Sequence, residues 1–195
     1  MSFSIVLAST SPYRSQLLER LRLPFETLAP QVDESAQHGE APAATARRLA
    51  LAKARAVADK RPQAIVVGSD QVADLDGNPL GKPLNHEAAL RQLLAMQGRC
   101  VVFHTALALV CLARARTLVD CIDTQVQFRP MQRDRLDAYL RLEQPYDCAG
   151  SAKIESLGIC LVQSISSQDP TALIGLPLIA LTSMLEQFGV ALPRP

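Results

Sequence analysis

The residues of this chain best suited to chemistry are an aspartate after a β-branched run, two lysines in unusual settings and an arginine at a hydroxyl-rich helix start. Asp70, in "VVGSDQV", follows the apolar stretch Ala64 to Val67, which reads as a central buried strand. That places its carboxylate just beyond the strand's C-terminal end, where open α/β sheets form their ligand crevices. A carboxylate there can bind a divalent ion or take a proton from water; the plainer alternative is a turn residue. Lys53 falls within the apolar face of an Ala-, Leu- and Arg-rich helix, so its ammonium either snorkels to solvent or meets an anion. Lys82 stands between Gly81 and Pro83 in "LGKP", a rigid loop, where a lysine is ordinarily solvated. Asp33 and Glu34, in "VDES", are acidic candidates for metal or water, or else turn residues. Glu155 lies in "GSAKIESLG" beside Lys153; the commonest fate of a glutamate is the surface.

The stretch "LASTSPYR" joins a strand to a helix through Ser9, Thr10 and Ser11. Such a junction exposes unpaired backbone N–H groups beside hydroxyls at the positive end of the helix dipole. Arg14 adds a full charge whose planar fork suits phosphate. Ser11 as a simple N-cap, Pro12 at the first helical position and Arg14 in solvent account for the same residues without a ligand. His38, His86 and His104 lack metal-ligand spacing and are read as structural, and Asp169-Pro170 as a turn or helix start. No GxGxxG, P-loop or GxSxG pattern occurs.

These residues need elements to hold them. Strands are expected at Phe3 to Ala8, Phe25 to Leu28 and Ala64 to Val67, with two long ones at Cys100 to Ala113 and Thr117 to Phe128 joined by a short basic turn. Helices are expected at Pro12 to Leu21, Ala43 to Lys60, Asn85 to Met96 and Gln132 to Arg141, with a terminal one in "GLPLIALTSMLEQFG". Asp76-Gly77 marks a turn, and "YDCAGSAKIESLGICLV" a glycine-containing loop that enters a strand. Alternating strands and helices followed by adjacent long strands predict an α/β fold: a mixed twisted sheet with flanking helices and an active-site cleft.

The 195 residues suit one domain spanning 1–195, without repeats or linkers. Lys plus Arg number 20 and Asp plus Glu 19, a net charge of +1, which argues against coating a nucleic acid polymer but leaves room for a small anion met by a local cluster of cations. The five cysteines are widely spaced with no CxxC pair, as expected of reduced thiols in a cytoplasm. The N-terminal residues do not read as a signal peptide, and no apolar run is long enough to span a bilayer.

Taken together, "LASTSPYR", "VDE", the Lys53 helix, "GSDQV", "GKPL", "CAGS" and "DPTALIGLPL" resemble the Maf family in order and spacing, from about Ile5 to Leu185. These are nucleoside triphosphate pyrophosphatases, related in fold to inosine triphosphate pyrophosphatases. The resemblance implies hydrolysis of a nucleoside triphosphate to the monophosphate and pyrophosphate with Mg²⁺ or Mn²⁺, in the cytoplasm, by an enzyme that other members suggest is a homodimer. By the same resemblance, Asp70 matches the proton acceptor, Ser9, Arg14, Lys53 and Lys82 the phosphate-handling positions, and Glu34 an acidic position in the pocket. Asp70 and Glu34 are then the candidates for metal. Tyr13, Gln71 and Glu155 resemble the subgroup acting on 7-methyl-GTP, whereas the subgroup acting on dTTP and UTP usually has Arg, Thr and Gln there. N7-methylation makes guanine cationic, which an aromatic face attracts, and a carboxylate accepts from guanine's N1–H and N2–H edge. The alternatives are a dTTP/UTP or broader modified-nucleotide pyrophosphatase, and a nucleotide-binding regulator of cell division. Around Glu155 the chain departs from the subgroup with Ala152, Ile154 and Ser156.

Overall fold

The computed structural model describes residues 4–193. The expected strand start at Phe3 lies outside them. Strand β1 (Ile5–Ala8) is wholly buried and leads into helix α1 (Pro12–Glu19), where Ser11 Oγ accepts from the Arg14 N–H at 3.4 Å, the expected cap. There follow β2 (Glu26–Thr27), α2 (Pro42–Ala58), β3 (Ile65–Leu75), β4 (Asn78–Leu80) and α3 (His86–Met96), capped by Asn85 Oδ1 at 2.9 Å from Ala88 N. Next come β5 (Cys100–Cys111), β6 (Arg116–Phe128), α4 (Arg133–Glu143), β7 (Val162–Ser167) and α5 (Leu178–Gln187). The seven strands among the described residues form one mixed sheet in the order β2-β1-β3-β5-β6-β7, with β4 hairpinned onto β3. Among the described residues, the β1–β2 and β1–β3 pairs alone are parallel.

The expected end of the central strand at Val67 is corrected. β3 runs on for eight more residues, because Gly68 through Asp74 pair one by one with β5 from Ala108 back to Val102. The polar run Ser69-Asp70-Gln71 resembles a loop in sequence; here a long apolar neighbour supplies the ladder, and the polar side chains find other partners. Asp70 therefore sits within a strand rather than beyond one. Asp76 and Gly77, with φ of 53° and 82°, make the β3–β4 turn, the left-handed pair that a two-residue hairpin needs.

Alternation along the strands divides the core. Val6, Ala8, Val66, Ala106, Ala108 and Val110 face α2, which meets them with Ala46, Ala50, Ala54 and Val57. Ile5, Leu7, Ile65, Val67, Leu107 and Leu109 face the other way, onto α1 and α5. Further along that second face, Ala73, Val101 and Phe103 pack on α3 and α4. The methyl side chains of α2 let it lie close on the sheet, and Gly68 sits at the tightest point, against the backbone of Ala50 and Ala54. The start of α5 is held by a distant residue. Asp169 Oδ2 accepts from the N–H groups of Ile179 at 2.6 Å and Ala180 at 3.3 Å, which offsets the helix's unpaired donors and its positive dipole end.

Candidate active site

The site forms at a gap in the sheet. On its edge away from β5, β3 pairs with β1 over Ile65 to Gly68 and with β4 over Ala73 to Leu75. Ser69 to Val72 have no strand on that side. β1 has turned away into α1, so the crevice lies at the C-terminal end of a parallel strand after all, but that strand is β1 rather than β3. A cleft of about 640 Å³ opens there. Because neighbouring residues of β3 point to opposite faces, Asp70 reaches it from the α2 side and Gln71 from the other.

Nine of the candidates singled out above line this one cleft: Ser9, Tyr13, Arg14, Glu34, Lys53, Asp70, Gln71, Lys82 and Glu155. Asp33 does not; its carboxylate accepts from Ser35 N at 2.9 Å, an ordinary turn bond. Lys53 is 5% exposed, so it does not snorkel. Its ammonium donates to Asp70 Oδ1 at 2.7 Å and pairs with Glu34 Oε2 at 3.0 Å. Burial pushes the Asp70 carboxyl above the usual carboxylate range, with Lys53 and Arg14 pulling it back and Glu34 adding to the rise.

Arg14 is half-buried rather than solvated. Its Nε donates to the Gly175 carbonyl at 2.9 Å, and its electrostatic partners are Asp70 and Glu34. Tying down Nε leaves the two terminal nitrogens for an anion. Ser9 is buried, its Oγ accepting from Ser11 N at 3.1 Å, whereas Lys82 is exposed on the loop after β4. Ser9, Arg14, Lys53, Asp70 and Glu34 thus form one end of the cleft.

Asp147, Cys148 and Glu155 also line the cleft, with Asp147 and Cys148 close to Tyr13. Tyr13 lines the cleft, and the Lys153 ammonium lies 5.4 Å from its ring centroid. Glu143 holds that ammonium, with its Oε1 3.2 Å from the nitrogen. Glu155 is exposed and acts electrostatically on Cys148. Burial pushes the Cys148 thiol up to about 12, so this cysteine is no nucleophile near neutral pH. Gln71 has a fixed orientation. Its Nε2 donates within the carbonyls of Ala172 and Leu173, each at 3.0 Å, and lies 2.9 Å from Thr105 Oγ1. Carbonyl oxygens only accept, so they dictate which end of the amide is nitrogen.

Ser69 and Thr105 were not apparent from the sequence. Ser69 Oγ lies 2.8 Å from Ala106 O and 2.9 Å from Gly175 O, and Thr105 Oγ1 donates to Ala172 O at 2.9 Å. With Arg14 and Gln71 they pin the "TALIG" turn over the gap, so its carbonyls are satisfied by side chains. A buried hydroxyl in a strand carries no sequence signal until the strand's neighbour is known.

The sequence profile described as Maf-like protein matches residues 4–188. A protein of Albidiferax ferrireducens named 7-methyl-GTP pyrophosphatase is 55% identical over 186 residues, which cover 95% of this chain and 94% of that one. One of the same name from a Polaromonas species is 57% identical over 188 residues, 96% of this chain and 86% of the relative. Among solved structures, a nucleoside-triphosphatase / dITP/XTP pyrophosphatase from Mycobacterium abscessus aligns over 98% of this chain and 100% of its own, at 16% identity and a TM-score of 0.48. With the profile spanning nearly every described residue and relatives above half identity matched over nearly their whole length, this chain belongs to the Maf family.

Proposed function

We propose that this chain hydrolyses 7-methyl-GTP to 7-methyl-GMP and pyrophosphate, with Asp70 as the general base. The observation that carries the reading is the buried Asp70–Lys53 pair at the gap in β3, in a cleft whose other cations are Arg14 and Lys82. The names of the close relatives support it. Ser9, Arg14, Lys53 and Lys82 would hold the phosphates. A water oriented by Asp70 adds at the α-phosphorus, its proton passes to the carboxylate, and the bond to the bridging oxygen breaks with its electron pair leaving on pyrophosphate. The cations offset charge that builds on the phosphoryl oxygens.

The cleft fits a hard divalent cation. Asp70 and Glu34 are all-oxygen donors, and Lys53 takes one oxygen of each. Two carboxylates make no closed cage, which suits Mg²⁺ or Mn²⁺, since such ions share their shell with waters and substrate phosphates. When bound, the ion supplies charge neutralisation to the triphosphate.

For the base, Tyr13 offers its aromatic ring and Glu155 an acceptor, both lining the cleft. Gln71 adds a second acceptor: with its NH₂ committed to Ala172 and Leu173, only Oε1 is left. Two acceptors suit guanine's donor edge and oppose the O2 and O4 acceptors of uracil and thymine. Measuring pyrophosphate release across a nucleotide panel tests this; higher kcat/KM on dTTP or UTP than on 7-methyl-GTP would overturn the base assignment, and tight binding without turnover would favour a regulator. Tyr13→Arg is expected to lower the preference for 7-methyl-GTP over GTP by roughly 2–30-fold, the range of a cation–π contact, with a smaller effect on GTP itself.

The raised Asp70 carboxyl also sets a pH profile. A base works only when deprotonated, so kcat/KM is expected to fall as pH drops through a value above the ordinary carboxylate range. Lys53 holds that value down, so Lys53→Met is expected to move the acid limb further up as well as lower the rate. An unmoved limb would assign the limb to another group. A cytoplasmic setting and pairing of two copies belong to the same reading as expectations from the family.

A further inference from the structure

A second group of ligand-type side chains lies outside the cleft, on the face of the sheet that carries α2. β5 and β6 are antiparallel with His104 directly opposite Asp123, and Cys121 stands two residues before Asp123 on the same face. One donor atom from each of His104, Cys121 and Asp123 lies within 4.8 Å of the others. No sequence spacing announces this set; the register of two strands makes it.

The imidazole lies between two carboxylates, one inside the cluster and one outside it. His104 Nδ1 is 2.7 Å from Asp123 Oδ1, inside the cluster, while Nε2 faces away toward Asp74 Oδ2 at 3.3 Å. Asp74 is itself fixed, its other oxygen accepting from Gly77 N at 2.6 Å. A histidine bound to metal through one nitrogen nearly always gives its other N–H to such a carboxylate or carbonyl, which fixes ring and tautomer. His104 is 9% exposed, whereas Cys121 and Asp123 border a surface hollow of about 370 Å³ that Gln125, Ser166 and Ser167 complete. The hollow leaves room for a solvent ligand. One nitrogen, one sulfur and one carboxylate oxygen with an open fourth position suit zinc and its neighbours, and do not suit Mg²⁺.

We propose that His104, Cys121 and Asp123 bind a zinc-class divalent transition-metal ion, oriented by Asp74, at a site separate from the cleft. Such an ion cross-links β5 to β6, which pair from Cys100–Gln127 to Cys111–Arg116. Its role is to stabilise the fold; none of its three ligands lines the cleft.

The test is titration of the reduced full chain with Co²⁺, whose thiolate complexes absorb by ligand-to-metal charge transfer. One equivalent is expected to give that absorption together with the visible bands of a four-coordinate ion. Cys121→Ser is expected to abolish the charge-transfer band and leave pyrophosphate release in Mg²⁺ unchanged. Asp74→Asn is expected to weaken Co²⁺ binding about 10–100-fold. Persistence of the band in Cys121→Ser would assign it to another cysteine and overturn the site, as would its absence in the unsubstituted chain. Independently of any cysteine variant, excess Zn²⁺ is expected to raise the melting temperature of the unsubstituted chain and not that of His104→Gln; equal behaviour of the two would overturn it as well.

Discussion

Asp70→Asn is expected to lower turnover of 7-methyl-GTP by about 10²–10⁴-fold, the range that a positioned base contributes. The amide has nearly the same shape and cannot take the proton from water. Its oxygen can still accept from the Lys53 ammonium, now 2.7 Å from Asp70 Oδ1, and Lys53 keeps Glu34 at 3.0 Å. Two effects on stability oppose each other. Lys53 loses its more buried counter-charge, which in such pairs costs several kcal/mol. The chain is also relieved of a carboxylate whose ionised form burial disfavours. A cooperative thermal transition is therefore expected to survive, which separates lost chemistry from lost folding. Circular dichroism melts beside initial rates check both. Retention of more than about a tenth of the turnover, too small a loss for a general base, would remove Asp70 from that role.

Gly68→Ala is expected to cost far more than the size of one methyl group suggests. A Cβ there would overlap the Ala50 carbonyl oxygen and stand 2.7 Å from Ala54 N and 2.9 Å from Ala54 Cβ. Two of these atoms are helix backbone, so no side chain can swing aside. Either α2 lifts from the sheet or β3 bends. Overpacking of a core costs about 1–3 kcal/mol, and a rigid backbone clash belongs at the top of that range or above. For a chain of this size, about 3 kcal/mol corresponds to a fall in Tm of roughly 6–12 °C. Turnover is expected to fall in the fraction that stays folded, because the lifted helix carries Lys53 and the strand carries Asp70. Gly81→Ala is the control. Its Cβ meets nothing within 4 Å and its φ is not in the left-handed region, so its Tm should match the parent. Equal melting temperatures for Gly68→Ala and the parent would refute the close-packing account.

The two substitutions show where sequence reasoning succeeds. Helix starts at Pro12 and His86 follow from the Ser11 and Asn85 caps, and the β3–β4 turn from Asp76-Gly77. These signals act within a few residues, so composition and spacing express them fully. The Ala-rich stretch announces α2, and Lys53 stands out because an apolar stripe has no other reason to hold a charge. Family resemblance adds the grouping: Ser9, Arg14, Asp70 and Lys82, far apart in the chain, meet in one cleft.

Features that depend on a strand's partner were not legible. Ser69-Asp70-Gln71 looks like a loop because local polarity is the only cue available, yet β5 draws it into the sheet. Asp169-Pro170 reads as a turn or helix start, but that its carboxylate reaches Ile179, ten residues on, shows only in the fold. His104, Cys121 and Asp123 show no motif until antiparallel register sets them side by side. Element types, most caps and turns, and the residues whose chemistry is out of place in their surroundings are legible from local pattern alone. Long-range contacts, by contrast, put Asp70 in a gap between β1 and β4, bring Lys53 to it from another layer, and tie the Gln71 amide nitrogen to Ala172 and Leu173. Each of these rests on a hydrogen bond or contact between distant segments, and a ladder or packed face acquires its partner only when the sheet closes.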